Sequence, residues 1–260
     1  MKYEDFIEAA ADNSLPLSYS ALKRLDKTPL HFNQFQTIDG GVDVETLDVT
    51  RILHAILFPT RHSKKPCVVI PTGVDNRSNA GKAIMADLKK QAAATKAILM
   101  AQKDYDEAER LAECLKQYTT EYNLIESCTQ FDVFDKVPYP FEGETFCLSR
   151  HLVAYNPSRH ILQISVVSDA NPSKMTWQRR DEMWNLGAFI NSYLTETPFY
   201  RICIDKKGHA ACFGFSDAAL ADGEHQLKRL LTKYNEYRRN PRLWNASWGY
   251  VHGDENGIIY

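Results

Sequence analysis

The chain has 260 residues, of which 44% are hydrophobic and 25% are charged, and its formal net charge is −2. This composition is typical of a globular protein with a substantial core, and the near-balanced charge excludes a globally basic nucleic-acid binder. The sequence has no apolar run of membrane-spanning length and starts with acidic residues unlike a signal peptide, so we expect a cytoplasmic protein without a membrane partner. The six cysteines have no C-x-x-C spacing, which argues against a zinc site or a disulfide framework.

The spacing of apolar residues predicts helices and strands in alternation along the chain. Helices are predicted at 18–29 with Ser18 or Ser20 as the cap, at 44–59, from about Ala80 after a polar turn, at 104–126, at 178–194 and at 221–239. Strands are predicted at 65–71, 128–134, 145–155, 161–168, 199–205 and 210–215, with a Pro/Gly-containing turn after the second. No repeat or long linker divides residues 1–260. We therefore expect one α/β domain, a central mixed sheet flanked by helices in two or three layers, with 145–155 and 161–168 as adjacent strands.

Five segments, in this order, carry a family resemblance. They are LSYSALKRLDKTPLHF, TRILHAILFP, IPTGVDNRSNAGKA, FCLSRHLVAYNPSRHILQISVVSDA and MWNLGAFINSYL. Together they resemble the RecE, or exonuclease VIII, branch of the restriction-endonuclease-like PD-(D/E)XK nucleases of phages and prophages. The third segment is the most distinctive, and the likeness covers roughly residues 15–250, including RLWNASWGY.

The resemblance implies a restriction-endonuclease-like core and Mg²⁺-assisted phosphodiester hydrolysis. In the family, an aspartate and an acid-x-Lys pair on two adjacent strands, with a histidine and a glutamate from preceding helices, surround the metal. The corresponding positions in this sequence, which we interpret as vestigial, are His54, Glu126 (with Glu121 a poorer match), His151, Gln163 and Ser165. The glutamine of the family's following helix falls near Leu186.

The acidic half of this site is missing from the sequence. No Asp, Glu or Lys occurs between Leu148 and Ser168, so a one-residue slip that puts Ile164 and Val166 at the acid-x-Lys positions restores nothing. We therefore predict no intact catalytic residues, no metal and no cofactor.

Two alternatives to this interpretation stay open. An active Mg²⁺-dependent 5′–3′ double-strand DNA exonuclease could use a migrated site built from Asp169, Lys174 and Glu182, just past the second strand. His54 could be a hydrogen-bonded core histidine, because its neighbours on the helix are apolar.

Basic residues in two segments are candidate DNA contacts. They are Arg77 and Lys82 in NRSNAGK, where Asn79 is the expected helix cap, and Lys228, Arg229, Arg238 and Arg239 in the basic stretch 228–242. The alternatives are an internal salt bridge for Arg77, simple exposure for Lys82 and a solvated helix exterior for 228–242. We expect a non-catalytic homologue that binds double-stranded DNA ends or a DNA-processing protein, in recombination or in interference with host DNA machinery. A homo-oligomer stays open.

Overall fold

The computed structural model describes residues 1–38, 48–58, 67–75, 77–95, 97–195 and 197–245. Its helices are α1 (Tyr3–Ala11), α2 (Tyr19–Lys27), α3 (Pro29–Thr37), α4 (Asp48–Leu57), α5 (Asn79–Thr95), α6 (Gln102–Thr119), α7 (Met175–Asp181), α8 (Trp184–Ser192) and α9 (Asp217–Arg239). Its strands are β1 (Leu17–Ser18), β2 (Cys67–Ile70), β3 (Ile98–Ala101), β4 (Gln130–Phe141), β5 (Glu144–Asn156), β6 (His160–Val167), β7 (Phe199–Asp205) and β8 (Ala210–Gly214). The predicted start and end of the 44–59 helix, Asn76, and the end of RLWNASWGY lie outside the described residues.

The central sheet is mixed, as the sequence predicts. Its strand order is β1-β5-β6-β7-β8, with β4 also paired to β5. The pairs β1–β5 and β6–β7 are parallel, and the pairs β4–β5, β5–β6 and β7–β8 are antiparallel. The predicted adjacency of the segments 145–155 and 161–168 is therefore confirmed.

Helices cover both faces of this sheet, which gives three layers. On one side α1, α2, α3, α8 and α9 enclose an aromatic core with Phe6, Phe32, Tyr234 and Trp244 at its centre. On the other side α4 and α6 pack against β6 and β7. A separate two-stranded parallel sheet, β2–β3, is connected by α5 and joins α4 and α6 through a small apolar cluster. We call these two sides the α9 side and the α4 side.

Among the predicted features that the structure contradicts, three have a local reason, and the strand β3 was not predicted. The 104–126 helix ends at Thr119, followed by a 3-10 turn and by Asn123 in a left-handed conformation with φ 51°. The 178–194 helix is two helices, because Met183 between them also has a positive φ of 51°. The turn after the second predicted strand contains no proline: Pro138 and Pro140 lie within β4, which can accept proline because it is an edge strand.

The starts of α3 and α5 differ from the sequence prediction. Ser18 caps α2 as predicted, but Pro29, which was predicted to end that helix, begins a further helix, α3. The cap of α5 is Ser78 and not Asn79, because Ser78 Oγ accepts a hydrogen bond from the Gly81 N–H at 2.9 Å. Among the helices of the described residues, none has both the length and the apolar character needed to cross a membrane.

Candidate functional site

His54 contacts the strand that the sequence singled out. Its Nε2 donates a hydrogen bond to the carbonyl oxygen of Ile164 at 2.9 Å. The pairing of β5 with β6 extends only to Leu162, so this carbonyl lies where β6 has no β5 neighbour. A carbonyl can only accept, and the bond therefore requires a proton on Nε2, which the Nε2–H tautomer of the neutral ring and the imidazolium both carry. Burial lowers the pKa of His54 from 6.5 to about 4, and the bond to Ile164 offsets part of that effect.

Gln163 lies on the opposite face of β6, against a buried arginine. Arg201 of β7 is its partner in the sheet register and donates from Nη2 to Gln163 Oε1 at 2.8 Å. The guanidinium carbon of Arg201 is 4.6 Å from the Trp184 ring centroid and 6.0 Å from that of Tyr19. Only 2% of Arg201 is exposed, and its Nε finds no acceptor among the described residues. Gln163 therefore satisfies one donor of a buried cation.

The alternation of β6 separates the proposed vestigial positions. Leu162, Ile164 and Val166 face α4 and α6, on the side of His54. Ser165 follows Gln163 on the other face, opposite Cys203, which packs with Trp184. The structure thus does not bring His54 together with Gln163 and Ser165, and the residues that face α4 are the apolar pair of the slipped register.

Glu126 and Glu121 are exposed and lie beyond the end of α6. The neighbourhood of Glu126 is a local structural network in which His160 Nε2 donates to the Leu124 carbonyl at 2.8 Å. Burial, with the nearby Glu126 charge adding to it, raises the pKa of the Cys128 thiol to about 12. Among the described residues, no hydrogen bond or ion pair joins Glu126 to His54.

His151 is exposed and belongs to a cluster with two residues that the sequence reasoning missed. Its Nε2 lies 3.2 Å from Asp132 Oδ1, and its ring stacks on Phe134 with centroids 4.0 Å apart and planes 9° apart. Phe134 and His151 are direct cross-strand partners on β4 and β5. The only available signal was the alternation of DVF in a predicted strand, which does not distinguish such a cluster from an ordinary sheet face.

Asp132 reverses the facing of β4. It has a positive φ of 50°, which non-glycine residues rarely adopt. Before it, Phe131 stacks on Phe58 beside α4, with ring centroids 5.4 Å apart. After it, Val133 packs against a cluster that includes Leu152 and, from α8, Ala188 on the α9 side. Phe134 and its cross-strand partner His151 consequently point to the α4 side.

The basic residues at α5 form no ion pairs within the described residues. Arg77 and Lys82 are exposed, and the Arg77 backbone N–H is bound by Asp75 Oδ1 at 2.9 Å. Gly81 allows a tight turn at the start of α5, because a Cβ there would lie 1.8 Å from the Asp75 carbonyl oxygen. The space that the missing side chain of Gly81 leaves is therefore occupied by the preceding turn of the same chain.

The basic residues of α9 are mostly paired with carboxylates. Lys228 Nζ lies 2.9 Å from Glu224 Oε1, and Arg229 lies 2.9 Å from Asp26 Oδ1. Arg238 is only 12% exposed and is paired with Glu144. Arg239 is exposed and forms no ion pair with a described residue. Since α9 packs on one side of the central sheet and α5 belongs to the β2–β3 sheet that packs on α4 on the other side, the structure does not join the two predicted groups into one surface.

No family model matches the sequence, and no curated protein matches it. One similar solved structure comes from Eubacterium rectale and is described as a candidate exonuclease. The match covers 88% of this chain and 84% of that chain, with a TM-score of 0.53 and 13% sequence identity. The fold is nuclease-like. Two further solved structures are more distant. The structure of LHK-Exo in complex with dAMP has a TM-score of 0.28 and 13% identity, and the match covers 75% of this chain and 90% of that chain. The structure of SSO0001 has a TM-score of 0.31 and 9% identity, and the match covers 78% of this chain and 90% of that chain. At 13% identity the likeness to the Eubacterium rectale structure is one of fold alone.

In this nuclease-like fold, the acids of the alternative migrated site are engaged locally. Asp169 accepts from Lys174 Nζ at 2.8 Å and from the Asn171 N–H at 3.0 Å, and the Lys174 bond lowers the pKa of its carboxyl. Glu182 accepts from Trp184 Nε1 at 3.2 Å. Within the described residues, no three His, Cys, Asp or Glu side chains are grouped so that they could hold a metal ion.

Proposed function

We propose that this chain is a RecE-like protein of phage type that binds DNA and does not hydrolyse it. The observation that carries the proposal is the composition of β6 beside His54: the hydrogen bond from Nε2 to the Ile164 carbonyl brings the imidazole against this strand, whose side chains on that side are the apolar Ile164 and Val166. His54 is neutral and half-buried, which is the form that ligates metals, so the missing acids and not the histidine exclude a metal shell.

The chemistry of the donors supports the loss of hydrolysis. Mg²⁺ dehydrates reluctantly and needs hard oxygen ligands, usually carboxylates. The side chains of β6 that face His54 are Ile164 and Val166, and the nearest change of register brings Gln163 and Ser165, which are neutral. Among the described residues, Asp132 is the one carboxylate whose charge acts on the pKa of His54, and a single carboxylate is too few to compensate a divalent ion for its lost water.

The charge distribution supports α5 as the DNA contact. Residues 77–95 contain Arg77, Lys82, Lys89 and Lys90, all exposed, against the single acid Asp87. Exposed cations without carboxylate partners can exchange their counterions for phosphates, whereas the paired cations of α9 would first have to give up an internal partner. We therefore rank Arg77 and Lys82 above Lys228, Arg229, Arg238 and Arg239.

Hydrolysis is tested on end-labelled linear duplex DNA with Mg²⁺ or Mn²⁺. We expect no nucleotide release above a no-protein control. Processive, metal-dependent release that is abolished by Asp169→Asn or Glu182→Gln would contradict the proposal and establish the migrated site.

Binding is tested by fluorescence anisotropy with the same duplex between about 50 and 200 mM salt, a range over which phosphate contacts lose much of their affinity. Arg77→Gln with Lys82→Gln should reduce the slope of log K against log salt by about 2, since each lost phosphate contact removes about 0.9. The matched control, Lys228→Gln with Arg229→Gln, removes the same charge and should leave the slope nearly unchanged. Undetectable binding at about 50 mM salt would exclude DNA and make a DNA-processing protein the better partner.

A further inference from the structure

The outward face of the β4–β5 ribbon carries an exposed, ordered pair of rings. Phe134 is 70% exposed although its ring is parallel to that of His151 at 4.0 Å. Stacking on His151 covers part of Phe134, so the exposure belongs to the remainder of the ring. On this ribbon the opposite face is the buried one, where Val137 and Tyr139 join the core of the α9 side.

A polar contact and a strained backbone fix this pair. The Asp132 carboxylate lies 3.2 Å from His151 Nε2, which sets the rotation of the imidazole against Phe134. Asp132 itself has a φ of 50°, a conformation that folded proteins keep mainly where surrounding contacts or function require it. The pair is therefore held in place before any ligand arrives.

Charge on the same face is suited to a phosphate backbone. Lys136 follows Phe134 by two residues, so both side chains lie on one face of β4, and Lys136 is exposed without an ion pair among the described residues. Asp132, on the same ribbon, lies within hydrogen-bond distance of His151. The face is thus an aromatic surface with an adjacent cation.

We propose that Phe134 and His151 form a stacking platform for an unpaired nucleobase of a single-stranded nucleic acid, with Lys136 contacting the backbone beside it. This deepens the proposed function and rests on it. Base stacking on aromatic side chains beside a cation is the usual mode of binding single strands without sequence preference. A protein partner would instead require an apolar pocket, and the exposed side chains beside Phe134, those of Asp132, Lys136 and His151, are polar or charged.

The location supports one nucleic acid reaching both the platform and α5. The reversal at Asp132 points Phe134 to the α4 side, and the β2–β3 sheet that carries α5 packs on α4 through Ile52 and Cys67. A duplex held at Arg77 and Lys82 with a single-stranded end at Phe134 would use one side of the central sheet.

The test uses a short single strand with 2-aminopurine, whose fluorescence is quenched by stacking, and the full chain. We expect wild type to quench it and Phe134→Ala to bind about tenfold more weakly with little quenching, the effect of losing one base–aromatic stack. Phe134→Trp should restore both. The matched control is Tyr122→Ala, which removes another exposed aromatic ring, 66% exposed and beyond the end of α6. It should behave as wild type.

A strand with an abasic site at the probe position adds a second readout. With the base removed and the phosphates kept, wild type and Phe134→Ala should bind equally. Equal effects of Phe134→Ala and Tyr122→Ala, or no quenching by wild type, would overturn the platform. If duplex binding through Arg77 persists in that case, only the platform is lost; if duplex binding is absent as well, the proposed function fails with it.

Discussion

The two sides of the central sheet treat charge in opposite ways. On the α9 side, cations are paired with acids from distant segments: Arg238 with Glu144, and Arg229 with Asp26. On the α4 side, the cations of α5 have no such partners among the described residues. On the same side, Asp132, Lys136 and His151 of the β4–β5 ribbon are exposed. Residues 228–242 are the more basic stretch in sequence, with six basic residues against Glu236. A run of basic residues in the sequence therefore does not predict a basic surface, because the fold can pair those residues with carboxylates from distant segments.

The largest expected effect contrasts the glycines of the two helices. Gly223 lets α9 approach α8, because a Cβ there would lie 2.2 Å from the Asn185 carbonyl oxygen in the interior of the α9 side. Gly223→Ala must separate two packed helices and should reduce the free energy of unfolding by about 3 kcal/mol, measured by urea denaturation.

Gly81→Ala is the matched variant on the α4 side. Its Cβ would meet the Asp75 carbonyl, but the exposed 71–75 segment can move, so the global loss should stay below about 1 kcal/mol. Amide hydrogen exchange should rise in the first turn of α5 only. Equal losses for the two variants would mean that α5 is as integral to the core as α9.

The second expected effect concerns pH and the α4 side. Burial holds the pKa of His54 near 4 in the folded state, against 6.5 for an ordinary histidine. Between these values the unfolded state binds more protons, so the His54 contribution is complete above pH 6.5 and is lost as pH falls towards 4. We expect a loss of about 2–3 kcal/mol across this window.

The control for this prediction is His54→Gln, whose amide can donate to the Ile164 carbonyl but does not titrate. Its stability, measured by urea denaturation at each pH, should depend less steeply on pH between 6.5 and 4 than that of wild type. Parallel profiles would show that His54 is not held neutral against Ile164.

Much of this fold could be predicted because hydrophobic spacing reports burial directly. The segments 145–155 and 161–168 have the alternation of strands and are strands, paired as expected. The failures occur where one residue takes a positive φ: Asn123 ends α6 early and Met183 divides a helix. Asparagine is enriched in this conformation, so Asn123 was an available signal, whereas nothing about Met183 indicates it in the sequence.

The site was less predictable because its parts come from distant segments. His54 was identified, but its contact with a backbone carbonyl 110 residues away is invisible in sequence. Arg201 lies within an apolar strand pattern. Only the fold shows that its guanidinium donates to Gln163 and lies over the ring of Trp184. Asp132 was missed because its role depends on a backbone conformation. The carboxylates that pair with the cations of α9 were missed because they lie far from α9 along the chain.

The third expected effect tests the α9 side of β6. Gln163→Leu removes the acceptor of the buried Arg201 Nη2 and leaves a charged donor unsatisfied, which should cost about 2 kcal/mol of stability. Ser165→Ala, two residues along the same face and without a hydrogen bond to a described residue, is the control and should change stability by less than about 0.5 kcal/mol. Thermal and urea unfolding measure both. Duplex binding should be unchanged in either variant, and weaker binding by Gln163→Leu alone would mean that this face contacts DNA.

The smallest expected effect compares neighbouring arginines on α9. Arg238 is 12% exposed and paired with Glu144, whereas Arg239 is exposed and has no ion pair among the described residues. Glu144 is 36% exposed, so solvent screens the pair and Arg238→Gln should cost only about 1 kcal/mol. Arg239→Gln removes the same charge and should cost less than about 0.3 kcal/mol, because nothing in the described structure depends on it. Double-mutant analysis with Glu144→Gln assigns the difference: the loss from Arg238→Gln should disappear in the Glu144→Gln background, while that from Arg239→Gln should not change. If both arginines behave alike and instead flatten the salt dependence of duplex binding, the cations of α9 are available to DNA, and the contrast between the two sides of the sheet does not hold.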